Sequence, residues 1–116
     1  MLRIIVSVVA VLSFLLLPVQ YCEASQTTGY ITYVWQHYEL ANTNNAFLFK
    51  SDTSVPSGCN TSARYAVDAT KPEGKAVMAT VLMAQARGKS VFVQGKSVCD
   101  VHFDAETVSW IQVNPN

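Results

Sequence analysis

Asp100-Val101-His102-Phe103-Asp104 is the run of this sequence whose residue types and spacing suit chemistry. On an extended strand alternate side chains share a face, so Asp100, His102 and Asp104 form one row while Cys99, Val101 and Phe103 form the other. Two carboxylates flanking an imidazole can hold a divalent metal or act as an acid/base pair. Alternate residues of a regular strand lie about 7 Å apart, so a single ion needs a bend or a further ligand such as His37. A solvated strand face is the competing reading, and nothing else in the chain asks for a metal or a cofactor.

Other reaction signatures are incomplete. Gly88-Lys89-Ser90 and Gly95-Lys96-Ser97 each resemble the tail of a phosphate-binding loop. The glycine required five residues upstream is replaced by Met83 and Ser90, and both triplets lead into strands rather than helices. A G-x-S-x-G elbow, an H-E-x-x-H pair and a C-x-x-C motif are all missing, so the expectation is a protein that is not an enzyme.

Aromatic residues point instead to binding. Tyr30, Tyr33, Trp35 and Tyr38 crowd one segment. A barrel strand buries one face, so either the Tyr33, Trp35 and His37 set or the Tyr30 and Tyr38 set stays exposed, flanked by Gln36 and Glu39. Ring faces beside polar groups suit a sugar, which offers both apolar C–H patches and hydroxyls; ordinary aromatic packing accounts for the same residues. Tyr30, Tyr33, Trp35 and Gln36 are therefore candidate binding residues. With 8 Lys+Arg against 8 Asp+Glu and 14% charged residues, no basic stripe exists to neutralise phosphates, which argues against nucleic acid as a partner.

The elements that must position these residues can be read along the chain. Met1-Leu2-Arg3 opens a segment in which Ile4 to Val19 is apolar except for Ser7, Ser13 and Pro18. That run is short of the roughly 20 residues of a membrane span and reads as a secretory signal over residues 1–24, cut between Ala24 and Ser25. No membrane span is then expected after processing. Removing it takes away Arg3, Glu23 and Cys22 together, so the charge balance stays at zero and Cys59 and Cys99 remain as a pair in an oxidising compartment. They are expected to form a disulfide closing a loop of about 40 residues, stabilising the fold by roughly 3–4 kcal/mol on a chain-entropy argument.

In residues 25–116, Tyr30 to Leu40 reads as a long first strand, turned by Ala41-Asn42-Thr43-Asn44-Asn45 into a second strand over Ala46 to Lys50. A short third strand covers Ala63 to Val67. Thr70-Lys71-Pro72-Glu73 has the pattern of a capping box with proline in the first turn, and Arg87-Gly88 that of a basic last turn and C-cap, which places a helix over 71–87. Ala76 to Ala84 is uncharged, so this helix is apolar nearly all round and is expected to carry a homo-oligomeric interface. Val91 to Gln94, an extended stretch over Ser97 to Phe103, and Thr107 to Val113 follow, without internal repeat or linker. The order β-β-β-α-β-β fits an OB-fold-like five-stranded barrel, mainly β with one helix; a small α+β sandwich is the alternative. Asn60-Thr61-Ser62 is a glycosylation sequon, meaningful only in a eukaryotic host.

The leader, Thr28-Gly29 ahead of an aromatic first strand, the Ser57-Gly58-Cys59 turn, the helix, Arg87-Gly88-Lys89-Ser90-Val91 entering strand four and the compact disulfide-linked barrel together resemble bacterial AB5 toxin B subunits of the subtilase-cytotoxin and typhoid-toxin type. The resemblance spans most of residues 25–116 and departs in cysteine placement and between Cys99 and Trp110. It implies an OB-fold that binds a glycan or glycoprotein receptor as an oligomer, beside a secreted enzymatic subunit. A serine early in strand one serves those proteins, and Thr28 is its nearest match here. The expectation is thus a secreted or periplasmic carbohydrate-binding module, with a protein-interaction or inhibitor factor of the envelope or extracellular space as the alternative.

Overall fold

The structure, a computed structural model, describes residues 24–36 and 45–115. Residues 1–23 of the expected leader, His37, Tyr38, Glu39, Leu40 and the expected turn residues 41–44 lie outside the described residues. Five strands and one helix follow in the order β1 (Gln26–Gln36), β2 (Ala46–Ser51), β3 (Tyr65–Asp68), α1 (Pro72–Arg87), β4 (Ser90–Gly95) and β5 (Glu106–Val113). The strands close into a barrel in the order β1-β2-β3-β5-β4. All neighbouring pairs are antiparallel except β3 with β5. This is the connectivity expected of an OB-fold-like barrel, with the helix α1 between strands three and four; the sandwich alternative fails because the sheet closes on itself.

β1 starts earlier than its aromatic content suggests. Gln26 to Tyr30 pair with β4, and Ile31 to Gln36 pair with β2, so one strand serves both halves of the barrel. The third strand also starts later than expected, at Tyr65, because Ala63 takes a left-handed φ of 57°. Ile31, Phe47, Phe49, Val67, Val91 and Val93 fill the interior, with Tyr65 stacked on Phe49 at 5.6 Å. Val81 and Ala84 of α1 close one end of this core. A smaller cluster of Ala46, Leu48, Ala66 and Ala105 lies on the other side of β2 and β3, beneath Trp35 and Val101.

Two local expectations need correction. The capping box does not form: Lys71 is the N-cap without a side-chain bond, because the Thr70 hydroxyl and N–H both donate to Asp68 Oδ1 in a tight turn after β3. Those two hydrogen bonds hold the Asp68 carboxyl below its ordinary pKa, with Lys71 adding to the shift. The stretch over 97–103 is a loop, not a strand; Ser97 has φ 66°, and the loop is tied to the β2–β3 connection by the Cys59–Cys99 disulfide. The C-terminal end of α1 is as expected: Gly88 has φ 64°, and Lys89 N–H donates to Ala84 O at 2.9 Å.

Candidate binding surface

Because 97–103 is a loop, the row of Asp100, His102 and Asp104 does not exist. Asp100 accepts a hydrogen bond from the Thr107 hydroxyl. His102 is buried, with Nδ1 2.7 Å from Asp104 Oδ1, while Phe103 is 80% exposed. Arg64 donates to the same Asp104 oxygen at 2.8 Å and lies 5.2 Å from the Trp35 ring centre. The chain Trp35, Arg64, Asp104, His102 pins the loop onto the outer cluster, which is a structural task. Among the described residues no group of three or more His, Cys, Asp or Glu side chains gathers to hold a metal ion. A cleft of about 150 Å³ between the start of α1 and this loop mixes charges of both signs, including Asp68, Lys71, Lys96 and Asp100, and no histidine or cysteine lines it. Asn60 of the sequon is buried, its Oδ1 accepting Arg64 N–H at 3.0 Å.

The aromatic face expected on β1 is divided by a β-bulge. Ile31 pairs with Ser51 but Tyr33 with Lys50, so Thr32 is an extra residue and the two halves of β1 have opposite phase. Ahead of the bulge Thr28 and Tyr30 point outward; beyond it Tyr33 and Trp35 do, and Val34 packs on the core. Tyr30 and Tyr33 are therefore both exposed, at 54% and 59%, on the outside of the barrel, Tyr30 where β1 pairs with β4 and Tyr33 where it pairs with β2, rather than one set being in and the other out. Tyr33 and Trp35 have ring centres 5.4 Å apart, but Trp35 covers the outer cluster and is half-buried. Gln36 is exposed at the end of the described part of β1, out of phase with both rings.

A second bulge completes the surface around Thr28 and Tyr30. Gln94 pairs with Trp110 and Gly95 with Val108, so Ser109 is the extra residue of β5. Val108 thus faces the core while Trp110 faces outward, although both stand at even numbers. The outer face of β1, β4 and β5 becomes a grid. One row holds Gln26, Gln94 and Trp110, and the next Thr28, Phe92 and Gln112. A third holds Tyr30, Ser90 and Asn114, with Asn114 N–H donating to Ser90 O at 3.0 Å and its side-chain amide to Ser90 Oγ at 3.2 Å. Phe92 and Trp110 lie 5.0 Å apart and tilted by 32°. All nine side chains are amides, hydroxyls or aromatic rings, and none is charged. Thr28 and Tyr30 were accessible to sequence reading; Phe92, Trp110 and the flanking amides were not, though the alternation in β4 is their one local signal.

The helix presents a second apolar surface. Val77, Met78, Val81 and Ala84 meet the barrel, leaving Ala76, Ala79, Leu82, Met83 and Ala86 exposed. Cys59 and Cys99 are disulfide-bonded, and among the described residues no helix is long and apolar enough to cross a membrane. Comparison with family models, curated proteins and solved structures gives no match.

Proposed function

We propose that this chain is a secreted or periplasmic, non-enzymatic carbohydrate-binding module that takes a glycan or glycoprotein receptor on the outer face of β1, β4 and β5. The observation that carries this reading is the uncharged grid, with Phe92 and Trp110 surrounded by glutamine, threonine and serine side chains. A pyranose lays its C–H face on a ring and directs hydroxyls to amides, which both donate and accept. The absence of charge from the nine positions favours neutral sugar units. The leader and the disulfide support a location outside the cytoplasm. The exposed Ala76, Ala79, Leu82 and Met83 of α1 support assembly into a homo-oligomer, the arrangement in which AB5-type B subunits accompany an enzymatic subunit.

The test is a glycan array with the processed protein, paired with light scattering. Binding of a neutral glycan that falls at least about tenfold in Trp110→Ala and Phe92→Ala, and is unchanged in Tyr33→Ala, supports the reading. A monomer that ignores every glycan ends it, and specific capture of an envelope protein by that monomer replaces it with the interaction-factor reading.

A further inference from the structure

Glu106 opens β5 as a buried acid, 2% exposed. Its Oε1 accepts the Ser25 hydroxyl at 2.6 Å, and its Oε2 accepts the backbone N–H of Ser25 and of Ser97, each at 3.2 Å. Ser25 Oγ also lies 2.9 Å from the Tyr65 hydroxyl. Burial raises the Tyr65 pKa, the Ser25 hydrogen bond opposes the rise, and the charge of Glu106 adds to it. Among the described residues the ion pairs are Arg64–Asp104 and His102–Asp104, and neither reaches Glu106. A carboxylate taken out of water calls for a cation as well as hydrogen-bond donors, and no described side chain supplies one here.

The missing cation is one covalent step away. Ser25 is the residue that follows the expected cleavage of the leader, and its carbonyl accepts Gly95 N–H at 2.9 Å, extending the β1–β4 ladder one residue beyond Gln26. Backbone pairing therefore fixes the Ser25 nitrogen beside the carboxylate whatever precedes it. We propose that hydrolysis of the Ala24–Ser25 peptide bond creates the group this site is built to hold: the α-ammonium of Ser25, seated on Glu106 as an ion pair that locks the new N-terminus to β5. Water adds across the amide, its oxygen going to the Ala24 carbonyl, which leaves as a carboxylate. The Ser25 nitrogen becomes an amine and takes up a further proton, as an α-amino group of ordinary pKa about 8 does at neutral pH. In the uncleaved chain the same nitrogen is a neutral amide with one hydrogen to give. Leader removal is then a stabilising event for the fold as well as a release.

Two forms of the protein test this, one starting at Ser25 and one retaining Ala24, which moves the ammonium one residue off the carboxylate. The form starting at Ser25 should have an unfolding constant at least about tenfold smaller, and the difference should vanish in Glu106→Gln. Equal stability of the two wild-type forms overturns the proposal, as does a secreted protein whose N-terminal sequence begins elsewhere than Ser25. A titration of the wild-type Ser25 α-amino group by NMR needs no variant. Facing Glu106 from β5 and Tyr65 from β3, the amine should keep its proton to higher pH than an ordinary N-terminus, and an unshifted value also overturns the proposal.

Discussion

Gly95→Ala should be destabilising for one reason, and that reason can be removed. Gly95 has no left-handed φ, so its backbone accepts alanine. A Cβ built there would lie 1.5 Å from Glu106 Oε2, 2.3 Å from its Cδ and 3.0 Å from its Cγ, and these are the three nearest atoms. The carboxylate must therefore leave its position and give up the donors on Ser25 and Ser97. Hydrogen bonds to a charged group contribute about 1.5–3 kcal/mol each, and water recovers part of that once the side chain swings out. The remainder, with the local overpacking, amounts to about 2–3 kcal/mol. In a Glu106→Ala background the obstacle is gone, and Gly95→Ala becomes neutral or stabilising by up to about 0.5–1 kcal/mol, since alanine loses less backbone freedom than glycine. Urea unfolding of the four proteins closes a double-mutant cycle with an interaction of about 3 kcal/mol. The same cost of Gly95→Ala in both backgrounds would refute the assignment of this space to Glu106.

Further outcomes follow from the fold. Gly74→Ala, which helix propensity alone would make favourable by about 1 kcal/mol, should instead cost about 3 kcal/mol or more in thermal or urea unfolding. The added Cβ would lie 1.9 Å from the backbone oxygen of Asp68, which cannot rotate away. The Cys59→Ala, Cys99→Ala double variant should lose about 3–4 kcal/mol, read as a lower denaturant midpoint, since the crosslink spans 40 residues. The raised pKa of Tyr65 contributes stability that is fully present below about pH 10 and lost as pH rises through the folded value. Tyr65→Phe should therefore flatten the fall in stability above about pH 10, and an unchanged slope would show that burial of this hydroxyl is not the cause.

Much of the architecture was legible because it is written locally. The hairpin of β1 and β2, the proline and glycine that bracket α1, and the pairing of Cys59 with Cys99 all depend on near neighbours or on simple counting. The capping box failed for a local reason too: Asp68, two residues before Thr70, offers its hydroxyl a closer acceptor. The segment 97–103 reads as a strand because alternation of polar and apolar residues looks the same in a strand as in a loop held by a disulfide and, at Asp104, by Arg64 ahead of the neighbouring strand β3. Once that segment is a loop, the spacing of Asp100, His102 and Asp104 loses its meaning, and with it the one arrangement that suggested a metal or an acid/base pair.

By itself the sequence determined a mainly β chain of zero net charge with an aromatic strand segment, an apolar helix and the pair Cys59 and Cys99, because composition and short-range periodicity are properties of the chain alone. Which aromatic residues face outward was decided by tertiary structure. Thr32 and Ser109 are ordinary strand residues until a partner strand is laid beside them, and only the pairing makes each an extra residue that inverts every side chain beyond it. That inversion brings Trp110 out beside Phe92 and divides Tyr30 from Tyr33. The burial of Glu106 beside Ser25 is of the same kind, since residues at opposite ends of the domain meet only when the barrel closes.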